Sequence, residues 1–335
     1  MSTSKDKPLA IHVRGLEKTY GEVKAVRGID FDVRAGEVFG FLGPNGAGKS
    51  TTIKILCTLA SPTNGSASVA GFDVVTQRDA VRRNIGLVFQ ETTLDDYLTA
   101  HRNLLFHGEL YGVPSAILPG RIEHVMKMVG LWDRKDSAVA TFSGGMKRRL
   151  EIARGLVHAP NVLFLDEPTI GLDPQTRSNI WGFIRELRAK NDITIFLTTH
   201  YMDEAENCDR IAIMDAGKIV AEGSPETLKA KVGKDRVQIK TADDGRAIAA
   251  LEEKLDIRDA KVIEGAVTFG VLSGEEFLPR LFAELSPTVA IRSVSVARPS
   301  LDDVFMSFTG TSIRDAEASA AERTLANPFV RAARR

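Results

Sequence analysis

Gly43-Pro44-Asn45-Gly46-Ala47-Gly48-Lys49-Ser50 is the stretch that decides the fold. It matches G-x-x-x-x-G-K-[ST], a loop that cradles nucleotide phosphates. Its setting supplies the meaning. Val38 to Leu42 before it is an apolar run that reads as a buried strand. After it, Ile53, Leu56 and Cys57 fall at helical spacing. Strand, glycine turn and helix are the context the motif needs. The glycines let the backbone curl so that N–H groups converge on phosphate oxygens, and the helix N-terminus adds partial positive charge. Gly43, Pro44, Asn45, Gly46, Ala47, Gly48 and Thr51 are therefore expected to shape the phosphate cradle. Lys49 is expected to reach the β- and γ-phosphates, and the Ser50 hydroxyl to ligate Mg²⁺.

Bulk composition narrows the class. The 335 residues are enough for two domains. They are 43% hydrophobic and 26% charged, as in ordinary globular proteins. Lys plus Arg and Asp plus Glu both number 44, so no global charge draws the chain to nucleic acid. No apolar run is long enough to span a bilayer, and the polar first residues lack a signal-peptide core. A soluble chain is expected, with any membrane role supplied through a partner. Cys57 and Cys208 make no disulfide framework and suit a reducing compartment.

Downstream, Thr99 to Arg154 carries apolar residues at three- and four-residue spacing and is expected to be helical, broken at Pro114, Pro119 and Gly120. Val162 to Leu165 and Ile193 to Leu197 are continuous apolar or β-branched runs, as expected of strands buried on both faces of a parallel sheet. Residues 8–224 thus read as an α/β nucleotide domain with a helical insertion at about 95–157. Residues 225–235 read as a linker, 236–310 as a small α+β domain, and 311–335 as a frayed tail.

Several polar residues stand where these strands end. Asp166-Glu167 follows the strand ending at Leu165, and strand C-termini of open α/β sheets face the ligand crevice. Asp166 suits a Mg²⁺ ligand and Glu167 a general base for water. His200 ends the next buried strand and suits a γ-phosphate sensor. Gln90 closes the run Ile85 to Phe89 and suits contact with Mg²⁺ and the attacking water. Ser143-Gly144-Gly145 opens a helix with a cap and bare N–H groups, an anion site. The basic run Lys147-Arg148-Arg149 is expected to be a solvated face without contacts. Tyr20 lies ahead of the phosphate loop, and its expected stacking on an adenine ring rests on the resemblance given next more than on its aromatic ring alone.

The ordered set of Tyr20, Gly43 to Thr51, Gln90, Ser143-Gly144-Gly145, Asp166-Glu167, Gly171-Leu172-Asp173 and His200 resembles the ATP-binding subunits of ABC transporters. The resemblance covers residues 8 to about 224. It implies a P-loop NTPase fold, ATP with Mg²⁺, and a second ATPase subunit, as a homodimer. In that family the Ser-Gly-Gly element of one subunit closes on ATP held by the other, head to tail. Gln90 would couple to the membrane subunit, and Gly171 to Asp173 would communicate across the dimer. Met146 departs from the Gln that many members carry after Ser-Gly-Gly. Ser143 to Leu150 and Arg298 to Phe305 look like the daunorubicin/doxorubicin-resistance branch. That branch implies an ABC-2 type membrane-spanning permease as partner, a place on the cytoplasmic face of the membrane, and export of a drug-like or lipid-like compound. A non-transport clamp ATPase is the competing reading. The interval from Thr51 to Ser143 is too short for the long coiled coil of DNA clamps, and a single such domain is unlike ribosome-acting relatives. A GTPase switch lacks its Asn/Thr-Lys-x-Asp base reader.

Overall fold

In the computed structural model, residues 7–190, 193–233, 235–263 and 265–309 are described. The expected tail at 311–335 lies outside them. One compact unit runs to Pro225 and a second begins at Glu226.

The first unit is organised around a six-stranded sheet in the spatial order Lys218–Gly223, Arg210–Asp215, Val38–Leu42, Thr194–Thr199, Val162–Asp166, Ile85–Val88. All of its pairings are parallel except that of the Lys218–Gly223 edge. Val38–Leu42, Val162–Asp166 and Thr194–Thr199 are buried at every residue. This is why Val162–Leu165 and Thr194–Thr199 are continuous apolar or β-branched runs, and why Val38–Leu42 is apolar but for Gly40. A second, antiparallel sheet joins Val23–Arg34, Leu9–Tyr20, Asn64–Val69 and Phe72–Asp73. A single core packs Ile11, Leu16 and Phe31 of this sheet against Phe39, Phe41, Phe164 and Phe196 of the other.

The insertion holds helices Ala100–Leu110, Leu118–Met128 and Gly144–Leu156, with two short 3₁₀ turns. Pro114 precedes the second helix, but Pro119 and Gly120 do not break it. They lie in its first turn, where proline forfeits no intrahelical hydrogen bond. Residues 225–235, expected as a linker, contain the helix Pro225–Val232, on which Leu228 is fully buried.

The second unit is a four-stranded antiparallel sheet ordered Lys261–Ile263, Ala266–Val271, Asp235–Thr241, Ile291–Ala297. Val237, Ile239, Val267 and Phe269 pack with Leu251 and Leu281 from helices Asp244–Leu255 and Gly274–Leu285. Each unit therefore has its own core. Among the described residues, no helix is long and apolar enough to cross a membrane.

Candidate nucleotide site

The Val38–Leu42 strand ends in the glycine loop, and helix Lys49–Leu56 follows at once. Gly48 takes φ +105° and Gly46 φ +82°, left-handed conformations that glycine adopts without strain. Gly43 is required for a different reason: a Cβ there would stand 2.2 Å from the Met214 carbonyl oxygen. No side chain caps the helix, so its first-turn N–H groups remain available to an anion. Pro44 and Ala47 are buried, Asn45 and Gly46 exposed, and Ser50 and Thr51 partly buried.

Lys49 is 4% exposed and lies across the loop. Its Nζ donates to the carbonyls of Gly43 at 2.7 Å and Pro44 at 3.1 Å, and stands 3.6 Å from Glu167 Oε1. Ser50 Oγ donates to Asp166 Oδ1 at 3.2 Å, and Thr198 Oγ1 donates to the same oxygen at 2.6 Å. Thr198 Oγ1 in turn accepts from the Glu167 N–H at 3.1 Å. One hydroxyl on the neighbouring strand thus fixes both acidic residues. Glu167 itself adopts φ +47°, a left-handed conformation that costs a non-glycine residue energy and that clusters at functional sites.

His200 Nδ1 lies 3.4 Å from Glu167 Oε1, at the long edge of a hydrogen bond, and this buried nitrogen is otherwise unpartnered. Its ring packs on Tyr201 with centroids 4.1 Å apart. Burial pushes the Glu167 carboxyl up; His200 and then Lys49 outweigh this and hold it below the usual carboxylate range. Glu167 is therefore ionised at neutral pH, and its negative charge faces a lysine and a ring nitrogen.

The remaining residues do not touch this cluster. Gln90 emerges at the same sheet edge, two residues past Val88, which pairs with Leu165. It is exposed, and its side chain bonds none of the described residues. Tyr20 ends its strand 47% exposed, with Lys18 Nζ 4.8 Å above the ring. Ser143 Oγ accepts from Met146 N at 3.3 Å and caps helix Gly144–Leu156. Ser143 and Gly144 are exposed, and no hydrogen bond joins residues 143–145 to residues 43–51 among the described residues. Gly145 packs closely on the next helix, where a Cβ would meet Thr176 Cγ2 at 2.4 Å. Asp173 caps that helix through Thr176 N at 3.0 Å.

The basic run corrects the sequence expectation. Lys147 Nζ pairs with Asp96 Oδ1 at 2.7 Å and Arg149 Nη1 donates to the Val129 carbonyl at 2.8 Å. Arg148 is 7% exposed and donates to the main-chain carbonyls of both acidic residues and of Pro168 after them. A charge run read in one dimension gives no hint that its middle member turns inward. The one available signal was Glu151 three residues on, the spacing of a helical ion pair.

Comparison with known proteins adds a second line. Residues 26–170 match the family model described as ABC transporter. Residues 223–309 match the model described as ATP-binding protein DrrA1-3-like, C-terminal domain. The chain is 42% identical over 90% of its length, and 92% of the relative's, to a daunorubicin/doxorubicin resistance ATP-binding protein of Streptomyces peucetius. It is 38% identical to the Nod factor export ATP-binding protein I of Burkholderia lata, covering 91% of this chain and 98% of that one. Among solved structures, cbiO1 of Clostridium perfringens, part of the ABC transporter complex cbiONQ, superposes with a TM-score of 0.63 at 28% identity. That superposition covers 75% of this chain and 97% of cbiO1.

Proposed function

The chain belongs to the ABC transporter family of ATP-binding proteins, and from that premise we propose a division of labour among its residues and a place for it in an exporter. As a family member it is a transporter ATPase. In our reading, residues 8–224 carry the nucleotide chemistry, 225–235 link, and 236–310 serve as an accessory domain. The working form is a homodimer on the cytoplasmic face of the membrane, bound to an ABC-2 type permease. The cargo is drug-like or lipid-like, in keeping with the relatives named for daunorubicin resistance and Nod factor export.

The observation that carries the chemistry is Glu167, strained at φ +47°, with Lys49 and the otherwise unpartnered nitrogen of His200 against the same carboxylate oxygen. The glycine loop and Lys49 bind the triphosphate, and Tyr20 meets the adenine. Ser50 and Asp166 are paired hard oxygen donors that suit Mg²⁺, and with Gln90 they would hold it. The bound ion would neutralise phosphate charge. Glu167 takes the proton of a water attacking the γ-phosphorus as the bond to the β–γ bridging oxygen breaks and its electrons leave with ADP. His200 holds the γ-phosphate, which satisfies its ring nitrogen. Ser143, Gly144 and Gly145 close on the nucleotide of the partner subunit. The exposed face of helix Ala100–Leu110, with Phe106 and Leu110 65% and 69% exposed, supports contact with the membrane partner.

The experiment is Glu167→Gln in the purified transporter. ATP binding persists while turnover falls by about 10²–10⁴-fold, the range for losing a general base. Near-normal hydrolysis would refute the assignment.

A further inference from the structure

Arg148 spends its whole fork inside the protein. Its Nε donates to the Pro168 carbonyl at 2.6 Å, and Nη2 to the carbonyls of Asp166 at 3.1 Å and Glu167 at 3.2 Å. Nη1 donates to the Phe89 carbonyl and to Glu151 Oε2, the latter at 3.1 Å. Glu151 is 1% exposed, and its other oxygen accepts from Thr93 N at 2.6 Å. One buried ion pair therefore grips three consecutive carbonyls around the general base, and the backbone on both sides of Gln90. A planar fork with fixed donors can do this where a point charge cannot.

We infer that Arg148 is the positioning residue for Glu167, and that through it the helix starting at Ser143 sets the base of its own chain. This rests on the reading of Glu167 as the base and of the dimer as head to tail. Glu167 sits in a backbone conformation that its own side chain disfavours, so something outside must hold it. Arg148 takes hold of the carbonyls of Glu167 and of both its neighbours. Arg148 is five residues along the helix from Ser143, about 7.5 Å at 1.5 Å per residue. Ser143 faces the nucleotide bound by the partner subunit, whereas Arg148 holds the base for the nucleotide bound by its own. One rigid helix thus ties engagement at one composite site to alignment of the base at the other.

The test uses the assembled transporter with two differently tagged copies of the chain. In the first mixed dimer, one copy carries Arg148→Met with Glu151→Leu and an intact Lys49, and the other carries Lys49→Ala. In the second, all three substitutions are on one copy and the other is wild type. Removing both buried charges together leaves neither charge uncompensated, and the charge-retaining Arg148→Lys keeps the test valid if loss of the carbonyl partners weakens the fold. The reference is a Lys49→Ala copy with a wild-type one. We expect kcat to fall about 10–100-fold in the first dimer, the scale of a small misplacement of a reacting group, with KM for ATP unchanged. The second dimer should match the reference. Arg148→Lys in place of the double substitution should fall between. Loss in the second dimer alone would put the defect in the Ser143 element. Equal loss in both would make the pair a structural prop, and reference rates in both would leave it without a part in turnover. Each of these overturns the inference. Turnover that survives Glu167→Gln in the first arrangement would instead remove the base reading beneath it, so the two failures are distinguishable.

Discussion

Glu167 is pulled in two directions. Burial favours its neutral form, while His200 and Lys49 favour the carboxylate and prevail. In His200→Ala the first of these partners is gone and burial is opposed by Lys49 alone. The carboxyl midpoint, followed by carbon NMR in the nucleotide-free chain, should move up in pH; an unmoved midpoint would show that the 3.4 Å contact has no electrostatic weight. The same residue shows what a sequence does and does not display. An acidic pair at the end of a buried strand is legible, because strand, carboxylate and crevice are set by local order. The left-handed twist at Glu167, the hydroxyl of Thr198 that bonds both acidic residues, and the inward turn of Arg148 are not. Each depends on a segment brought in from elsewhere in the chain, and apart from the i,i+3 spacing of Arg148 and Glu151 nothing in the residues themselves marks the partner.

At the scale of elements, the buried parallel strands were legible and the antiparallel sheet much less so. Only Ile11 to Val13 and Val26 to Val33 stand out in sequence, yet the strands run Leu9–Tyr20 and Val23–Arg34. Their pairing shifts register between Val13 and Leu16, where Gly15 takes φ +55°, so the alternation of apolar and polar residues is broken within one strand. Two packing features carry predictions. Helix Gly144–Leu156 lies so close to strand Ile85–Val88 that a Cβ on Gly86 would stand 2.3 Å from the Gly155 carbonyl oxygen. Gly86→Ala must push the helix off, at about 1–3 kcal/mol for overpacking, read as a lowered denaturant midpoint. The second is a half-buried group of His107, Tyr111, His158 and Arg154 between helix Ala100–Leu110 and the end of Gly144–Leu156. Burial first, then Arg154 and His158, pushes His107 down to about 3; burial also lowers His158. In the fold His107 stays neutral over this range and His158 takes up its proton at lower pH than it would unfolded, whereas in the unfolded chain both titrate near the ordinary value of about 6.5. Below that pH the unfolded state binds more protons, so stability falls as pH drops from about 6.5 toward 3. His107→Phe should flatten that slope in melts between about pH 7 and pH 5; an unchanged slope would place the titration elsewhere.

As a whole molecule, the chain gathers only part of the proposed nucleotide site at one place. The loop, Lys49, Asp166, Glu167 and His200 converge, while Ser143 and Gly144 face solvent and bond none of the loop residues. In the proposed homodimer, a symmetric pair of chains, each offering its Ser-Gly-Gly element to the other's loop, would complete two equivalent sites at once, because a two-fold axis makes every contact twice. This arrangement has a consequence no single-chain site would share. Lys49→Ala spoils the loop of its own chain and Ser143→Arg spoils the site on the other, so a dimer of either variant has no intact site. In a mixed dimer the two defects fall on the same composite site. The loop of the Ser143→Arg chain then meets the untouched Ser-Gly-Gly element of the Lys49→Ala chain. Mixing the two inactive variants with the membrane partner should therefore restore hydrolysis, and the restored rate should rise and then fall with the mixing ratio, greatest near equal amounts. If both elements acted within one chain, no ratio would recover any rate above the two parents.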